Sequence, residues 1–313
     1  MIISFDIGGT AIRGAVVHSV TSVMPIGRSP TPRDDFTVFV NCLREMVARG
    51  GEEPDCVAIS IAGVLDPETR IATCANIPCI HGRRLIADLE EALDLPVFVA
   101  NDADCFTLAE ATIGAGKGYS IVFGAILGTG VGGGLVADGR LVNAHGGFAG
   151  EWGHGPAATF LAGNPPVAVP AFKCGCGLEG CLDAVGSARG LERLHEFFHK
   201  RMLAAEEIIE RWQHGNGDAA RTIDVFADVL SMLLAMVVNV TGATIVPVGG
   251  GLSNAGRLLE EIDTRVRKRV LRRFNRPLVV RGTCPIEPGL MGAALLGLDA
   301  MKSGRKLERT VSG

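Results

Sequence analysis

One pattern occurs twice in this chain, and it constrains the fold more than any other feature. A strand-like apolar run, a glycine-rich turn and a second strand-like run make up the first copy, "MIISFDIGGTAIRGAVVH", residues 1–18. The second copy is "YSIVFGAILGTGVGGGLVADGRLV", residues 119–142, with "GTGVGGG" standing where the first has "DIGGT". Between and after the copies, apolar runs alternate with segments of helical period. Helices are expected near 36–49, 84–93, from 101 onward, near 187–199, 204–214 and 219–240, then up to about 270 and from about 290. Strands are expected at 21–27, 56–63, 95–100, "ATIVPVG" and "RPLVVRG". Such alternation implies an α/β architecture, and the repeated opening implies two similar halves facing each other across a cleft. A boundary is expected near residue 115, in "GAGKG", with the last helix returning to the first half. The expected domains are therefore residues 1–115 plus 290–313, and a larger one at 116–289.

The chain's 313 residues suffice for two modest cores. A formal net charge of −4 gives no electrostatic reason to expect nucleic acid or an anionic membrane as partner. No apolar run is expected to approach the roughly 20 residues of a membrane span. The opening residues lack a basic region, a long apolar region and a cleavage-like site, so no signal peptide is expected. Six of the nine cysteines (42, 56, 74, 79, 105, 284) lie scattered among apolar neighbours, which fits reduced thiols in a cytoplasmic protein.

Glycine makes up 42 of the residues, nearly twice its usual share of roughly 7%, and it is clustered. Asp6 ends the first strand and is followed by Gly8, Gly9 and Thr10. Comparable turns carry Gly128, Thr129, Gly130 and Gly132, and then Gly249, Gly250 and Gly251. Turns without side-chain bulk present backbone N–H groups to phosphate oxygens, and a strand-end carboxylate such as Asp6 suits Mg²⁺. One such turn reads equally as a plain hairpin; three that each close a strand point to a nucleotide. None matches GxxxxGK[ST] or GxGxxG, so the P-loop and dinucleotide readings lose.

Asn101 and Asp102 sit after a buried strand and before a helix. They read as a helix cap, or as a carboxylate placed to accept the proton of an attacking hydroxyl. Cys174, Cys176 and Cys181 follow a CxCx₄C spacing. In a reduced compartment they read as metal ligands or as free thiols. With His154 they would complete a closed, tetrahedral zinc site of structural type.

"DIGGT", "NDADCFTLAEA", "ILGTGVGGGL", "GEWGH", "CGCGLEGC" and "VGGGLSN" follow one another as they do in the ROK family of sugar kinases, which the chain resembles over essentially its whole length. "PTPRDDF", "CANIP", "RLIADL" and "GLMGAALL" resemble the members that act on N-acetylglucosamine. The resemblance implies an actin-like, ribonuclease-H-like α/β two-domain fold with a central cleft. It also implies ATP-dependent transfer to the 6-hydroxyl of N-acetylglucosamine; glucose, N-acetylmannosamine and fructose are the alternative acceptors. Asp102 is then the catalytic base. Gly63, Asn76, Asn101, Glu151, His154 and Asp183 are then sugar-binding residues. ATP, Mg²⁺ and a structural Zn²⁺ on His154, Cys174, Cys176 and Cys181 are the implied cofactors, and a homodimer the implied assembly. On the residues alone, Glu151 reads equally as a solvated loop carboxylate. Two positions depart from the family: Ala11 stands where Lys is frequent, with Arg13 as a nearby positive charge, and Asp183 stands where Glu is usual. The family's transcriptional repressors carry a DNA-binding domain before the first strand, for which a strand starting at residue 2 leaves no room. A catalytically dead sugar sensor is opposed by the retention of Asp6, Asp102 and the glycine turns.

Overall fold

The computed structural model describes residues 1–155 and 161–302. The chain divides into two compact units. The first comprises Met1–Ala109, Arg140–Phe148 and the stretch that begins at Cys284; the second comprises Glu110–Gly139 and Ala149–Thr283. Residues 303–313, expected in the first domain, lie outside the described residues.

The first unit is built on a five-stranded sheet. Its strands are β1 (Ile2–Ile7), β2 (Ala11–Ser19), β3 (Ser22–Pro30), β4 (Cys56–Ile61) and β5 (Val97–Asn101), in the order β3-β2-β1-β4-β5. The hairpin strands pair antiparallel, whereas β1–β4 and β4–β5 are parallel. Every residue of β4 is buried, as expected for a parallel strand covered on both faces. Phe39 and Leu43 of α1 (Phe36–Ala48) and Leu89 of α2 (Leu85–Leu93) join its core with Phe5, Val57 and Ile59. Asp35 starts α1 by accepting from the backbone N–H groups of Thr37 and Val38 at 2.7 and 3.1 Å. The chain's last described helix, Pro288–Lys302, lies against β1 and β4. Close approach there requires a small residue: a Cβ at Gly297 would stand 3.2 Å from Ala58 Cβ and from Ile2 Cδ1.

The second unit repeats the scheme. Strands β6 (Ile121–Leu127), β7 (Val131–Ala137), β8 (Val246–Gly249) and β9 (Val279–Arg281) run in the order β7-β6-β8-β9 within a sheet that is also five-stranded. The β6–β7 hairpin is antiparallel, and β6–β8 and β8–β9 are parallel. Helix α3 (Asp102–Ile113) leaves β5. The second unit then adds α4 (Leu182–Gly186), α5 (Ala188–His199), α6 (Ala205–Gln213), α7 (Gly217–Thr241) and α8 (Gly256–Arg269), and the helix from Pro288 is α9.

Helix α7 corrects one expectation. An 18-residue window of its 25 residues reaches a mean hydropathy of 2.0, so by length and composition it could cross a membrane. Asp224 and Asp228 interrupt the run in the sequence, and in the structure they hold Arg265 of α8 at 2.8 and 3.4 Å. Phe226, Leu230 and Leu234 sit in the core of the second unit with Leu258 and Ile262. The helix thus carries its core-filling and its ion-pairing side chains on different faces.

Candidate active site

In the first unit the glycine turn is closed by its own hairpin. Gly8 N–H donates to Ala11 C=O at 3.1 Å, and the Thr31 hydroxyl donates to Gly8 C=O at 2.6 Å. Asp6, one residue before the end of β1, pairs in register with Arg13 of β2. Arg13 Nη1 donates to its Oδ2 at 3.1 Å and Ser60 Oγ to its Oδ1 at 3.1 Å. Arg13 also faces Glu287 at 3.6 Å. A side chain at Gly289 would collide with the Asp6 carboxylate, which brings the first turn of α9 against that group. Ser60 and Glu287 were not singled out from the sequence; register with Asp6 across β1–β4 is the only signal that could have found Ser60.

Four of the residues expected around a sugar converge in this unit. Asn101 Nδ2 donates to Gly63 C=O at 3.0 Å, and its Oδ1 accepts from Ala103 N–H at 2.8 Å. Asp102 Oδ1 accepts from the same N–H at 2.8 Å. The capping reading of the Asn-Asp pair therefore holds, and one dipeptide both starts α3 and fixes its own side chains. Asn76 packs on the first glycine turn, since a Cβ at Gly9 would lie 3.0 Å from Asn76 Cβ. Gly63 leaves room for Cys74, whose thiol burial pushes above its ordinary range.

In the second unit two glycine turns lie side by side: a Cβ at Gly128 would stand 3.8 Å from Gly250 Cα. Gly250 has φ +82°, and a side chain there would strike Leu127 C=O. Gly249 ends β8 opposite Ile126, and Gly251 opens a short 3₁₀ turn with free space around its Cα. Gly128 N–H donates to Gly130 C=O at 3.0 Å and Gly128 C=O accepts from Ala188 N–H at 2.8 Å. Gly132 lies inside β7, its carbonyl taken by the Trp152 indole at 2.8 Å. Close packing explains one of the glycines after Val131. A Cβ at Gly133 would meet Phe123 at 2.7 Å and Trp152 at 2.9 Å.

The same indole fixes the loop that carries Glu151 and His154. His154 presents its two ring nitrogens to different partners: Nδ1 lies 3.7 Å from Cys174 Sγ, and Nε2 lies 3.7 Å from Glu151 Oε2. Burial raises the Glu151 carboxyl pKa, opposed by His154 and reinforced by Asp183. One donor atom from each of His154, Cys174, Cys176 and Cys181 lies within 4.8 Å of the others. No disulfide joins them; Cys176 and Cys181 sulfurs are 3.7 Å apart. The Cys176 thiol is drawn down to about 7, chiefly by a hydrogen bond from the Leu178 backbone, while burial pushes Cys174 up to about 12. Three thiols and one imidazole are the donor set that zinc takes in closed structural sites, so the cluster fits that metal.

Asp183 occupies a place that sequence reasoning did not foresee. Its Oδ1 accepts from Val131 N–H at 2.7 Å, and its Oδ2 lies 3.8 Å from Cys174 Sγ. It does not cap α4, whose N-cap is Cys181.

Two α/β units, each on a five-stranded sheet wound in the same order, define the actin-like two-domain fold of sugar kinases. A ROK hexokinase from Thermus thermophilus has this fold with a TM-score of 0.82 and 28% identity, covering 97% of this chain and 99% of its own. A ROK family glucokinase from Streptomyces griseus, in complex with glucose and AMPPNP, gives a TM-score of 0.70 and 27% identity over 94% of this chain and 97% of its own. The N-acetyl-D-glucosamine kinase of Escherichia fergusonii is 34% identical over 302 residues, which is 96% of this chain and 100% of that protein. The ROK family model matches residues 2–300. The chain belongs to the ROK family, and to its sugar kinases.

Proposed function

We propose that this chain transfers the γ-phosphoryl group of ATP to the 6-hydroxyl of N-acetyl-D-glucosamine, releasing ADP and the 6-phosphate. The observation that carries the choice of sugar is the end-to-end identity of 34% to a kinase of that name. Phosphoryl transfer asks a protein mainly for positioning and charge neutralisation, and the residues divide along those lines.

Asp102 accepts the proton of the attacking hydroxyl. Asn101, Gly63, Asn76, Glu151, His154 and Asp183 are assigned to the sugar. Asn101 is suited to this by its two fixed hydrogen bonds, since an ordered amide loses little freedom on binding. Gly8, Gly9, Thr10, Gly128, Thr129, Gly130, Gly132 and Gly249–Gly251 are assigned to the nucleotide. The open space at Gly251 and the side-by-side turns at Gly128 and Gly250 support that reading. Asp6, held by Ser60 and Arg13, is the carboxylate for Mg²⁺, which when bound supplies charge neutralisation for the phosphates. Zn²⁺ on His154, Cys174, Cys176 and Cys181 serves structure alone, because four protein ligands leave no open position for a reacting water. With Nδ1 given to the metal, His154 keeps its proton on Nε2, on the side of Glu151 and the sugar. The enzyme works in the cytoplasm as a homodimer.

ADP release measured with N-acetylglucosamine, glucose, N-acetylmannosamine and fructose tests the reading. The highest kcat/KM is expected for N-acetylglucosamine. A higher value for another sugar replaces the acceptor, and no turnover with any of them removes the kinase assignment.

A further inference from the structure

The carboxylate of Asp183 joins two features that the proposed function treats separately, the Cys/His cluster and the turn before β7. Asp183 lies two residues after Cys181, and its backbone is held on both sides. Its N–H donates to Gly153 C=O at 2.8 Å, its carbonyl accepts from Ser187 Oγ at 2.7 Å, and the neighbouring Leu182 N–H donates to Gly155 C=O at 3.1 Å. The loop bearing His154 therefore holds the backbone at Leu182 and Asp183. From that base its Oδ1 takes the Val131 N–H at 2.7 Å. This is the first amide after Gly130, and a side chain at Gly130 would come within 2.7 Å of the same oxygen. Gly130 is thus small because Asp183 is there. The turn is tied a second time by Ala188 N–H on Gly128 C=O at 2.8 Å, so residues 128–131 hang from the segment that follows Cys181.

We propose that Asp183 is a positioning residue for the phosphate donor: through Oδ1 it sets the conformation of the Gly128–Gly130 turn and makes nucleotide binding depend on the order of the Cys/His loops. This deepens, and rests on, the reading of that turn as a phosphate-binding turn; Oδ2 remains for the sugar. The physical content is that an amide directed at a carboxylate is held in one orientation, and the turn's remaining N–H groups are oriented with it. A glycine turn without that tie samples many conformations, and ordering it would be charged to ATP binding.

Asp183→Ala, Asp183→Asn and Asp183→Glu separate the two oxygens. Asparagine keeps a neutral acceptor for Val131 and loses the second anionic oxygen, so KM for ATP is expected to stay near wild type while KM for the sugar rises. Alanine removes both, and KM for ATP is expected to rise on the order of tenfold. Glutamate is one methylene too long for the space beside Gly130, so it too is expected to raise KM for ATP. Hydrogen exchange of the peptide spanning 128–134 reports the tie without turnover: faster in the alanine and glutamate variants, unchanged in asparagine. Calorimetric binding of AMPPNP to the same proteins is expected to rank them in the same order. If alanine alters only sugar KM, with ATP KM and exchange at 128–134 unchanged, Asp183 has no hold on the donor site and the proposal falls. Should alanine fail to fold, the asparagine and glutamate variants decide by the same two readouts. Wild-type protein inactive on every sugar would overturn the kinase reading, while exchange and AMPPNP binding would still judge the tie.

Discussion

The two glycine turns occupy the same place in two sheets of the same order, yet they are held in different ways. The turn after β1 carries its own carboxylate: Gly8 bonds to Ala11 three residues on, and Asp6 belongs to the strand itself and pairs with Arg13 across the hairpin, with Thr31 Oγ1 on Gly8 C=O and Ser60 Oγ on Asp6 as further ties. The turn after β6 has Ile126 where the first copy has Asp6. Its carboxylate arrives from Asp183, a sequence separation of 52 residues, and its other tie from Ala188. Duplicated topology therefore fixes where a turn lies, and later elements decide what it leans on. A turn whose carboxylate lies in its own hairpin depends less on the Cys/His loops; one whose carboxylate comes from beside them inherits their stability.

The largest effect is expected from the side of this comparison that carries the chemistry. Asp102→Asn keeps the shape and one acceptor for Ala103 N–H, so α3 remains capped and sugar affinity stays. Loss of the base is expected to lower kcat by about 10²–10⁴-fold. Steady-state kinetics with N-acetylglucosamine checks this, and a variant with near-normal kcat removes Asp102 from the role.

A smaller but broader effect is expected from the externally braced side. Metal analysis should find about one zinc per chain, as a closed four-ligand site requires. Cys176→Ser is expected to lose the metal and to raise KM for both sugar and ATP, because loop order and ligand binding are linked. Thermal unfolding should show the second unit melting earlier while the first is little changed. Stoichiometric zinc after replacement of all three cysteines would refute the site, and an unchanged ATP KM in the metal-free protein would erase the contrast between the two turns.

The smallest effect is expected at Arg13. Its ion pair with Asp6 is half exposed on the arginine side, and such pairs contribute about 0–1 kcal/mol. Denaturant unfolding of Arg13→Ala should therefore shift stability by no more than about 1 kcal/mol. A larger loss would mean that the Asp6–Arg13 pair holds the first turn more strongly than a half-exposed ion pair does.

Local signals carried much of this protein. The periodicity of 36–49 announced α1, the largely apolar run at 56–63 announced a strand, and the CxCx₄C spacing with His154 announced a cluster that the structure brings together. The first two depend on residues a few positions apart, where backbone geometry alone dictates neighbours, whereas the cluster also draws on His154, 20 residues before Cys174. Helix α7 shows where this stops. Its composition suits a membrane as well as a core, and only its packing with α8 distinguishes the two. Asp183 shows it again. Beside the cysteines, the sequence offered a sugar ligand, and no spacing rule connects residue 183 to the amide of residue 131. The sequence by itself determined the elements, their order and the chemistry available at each turn. Which carboxylate serves which turn was decided by the tertiary structure, because a 2.7 Å hydrogen bond across 52 residues exists only once both ends have been placed by other contacts.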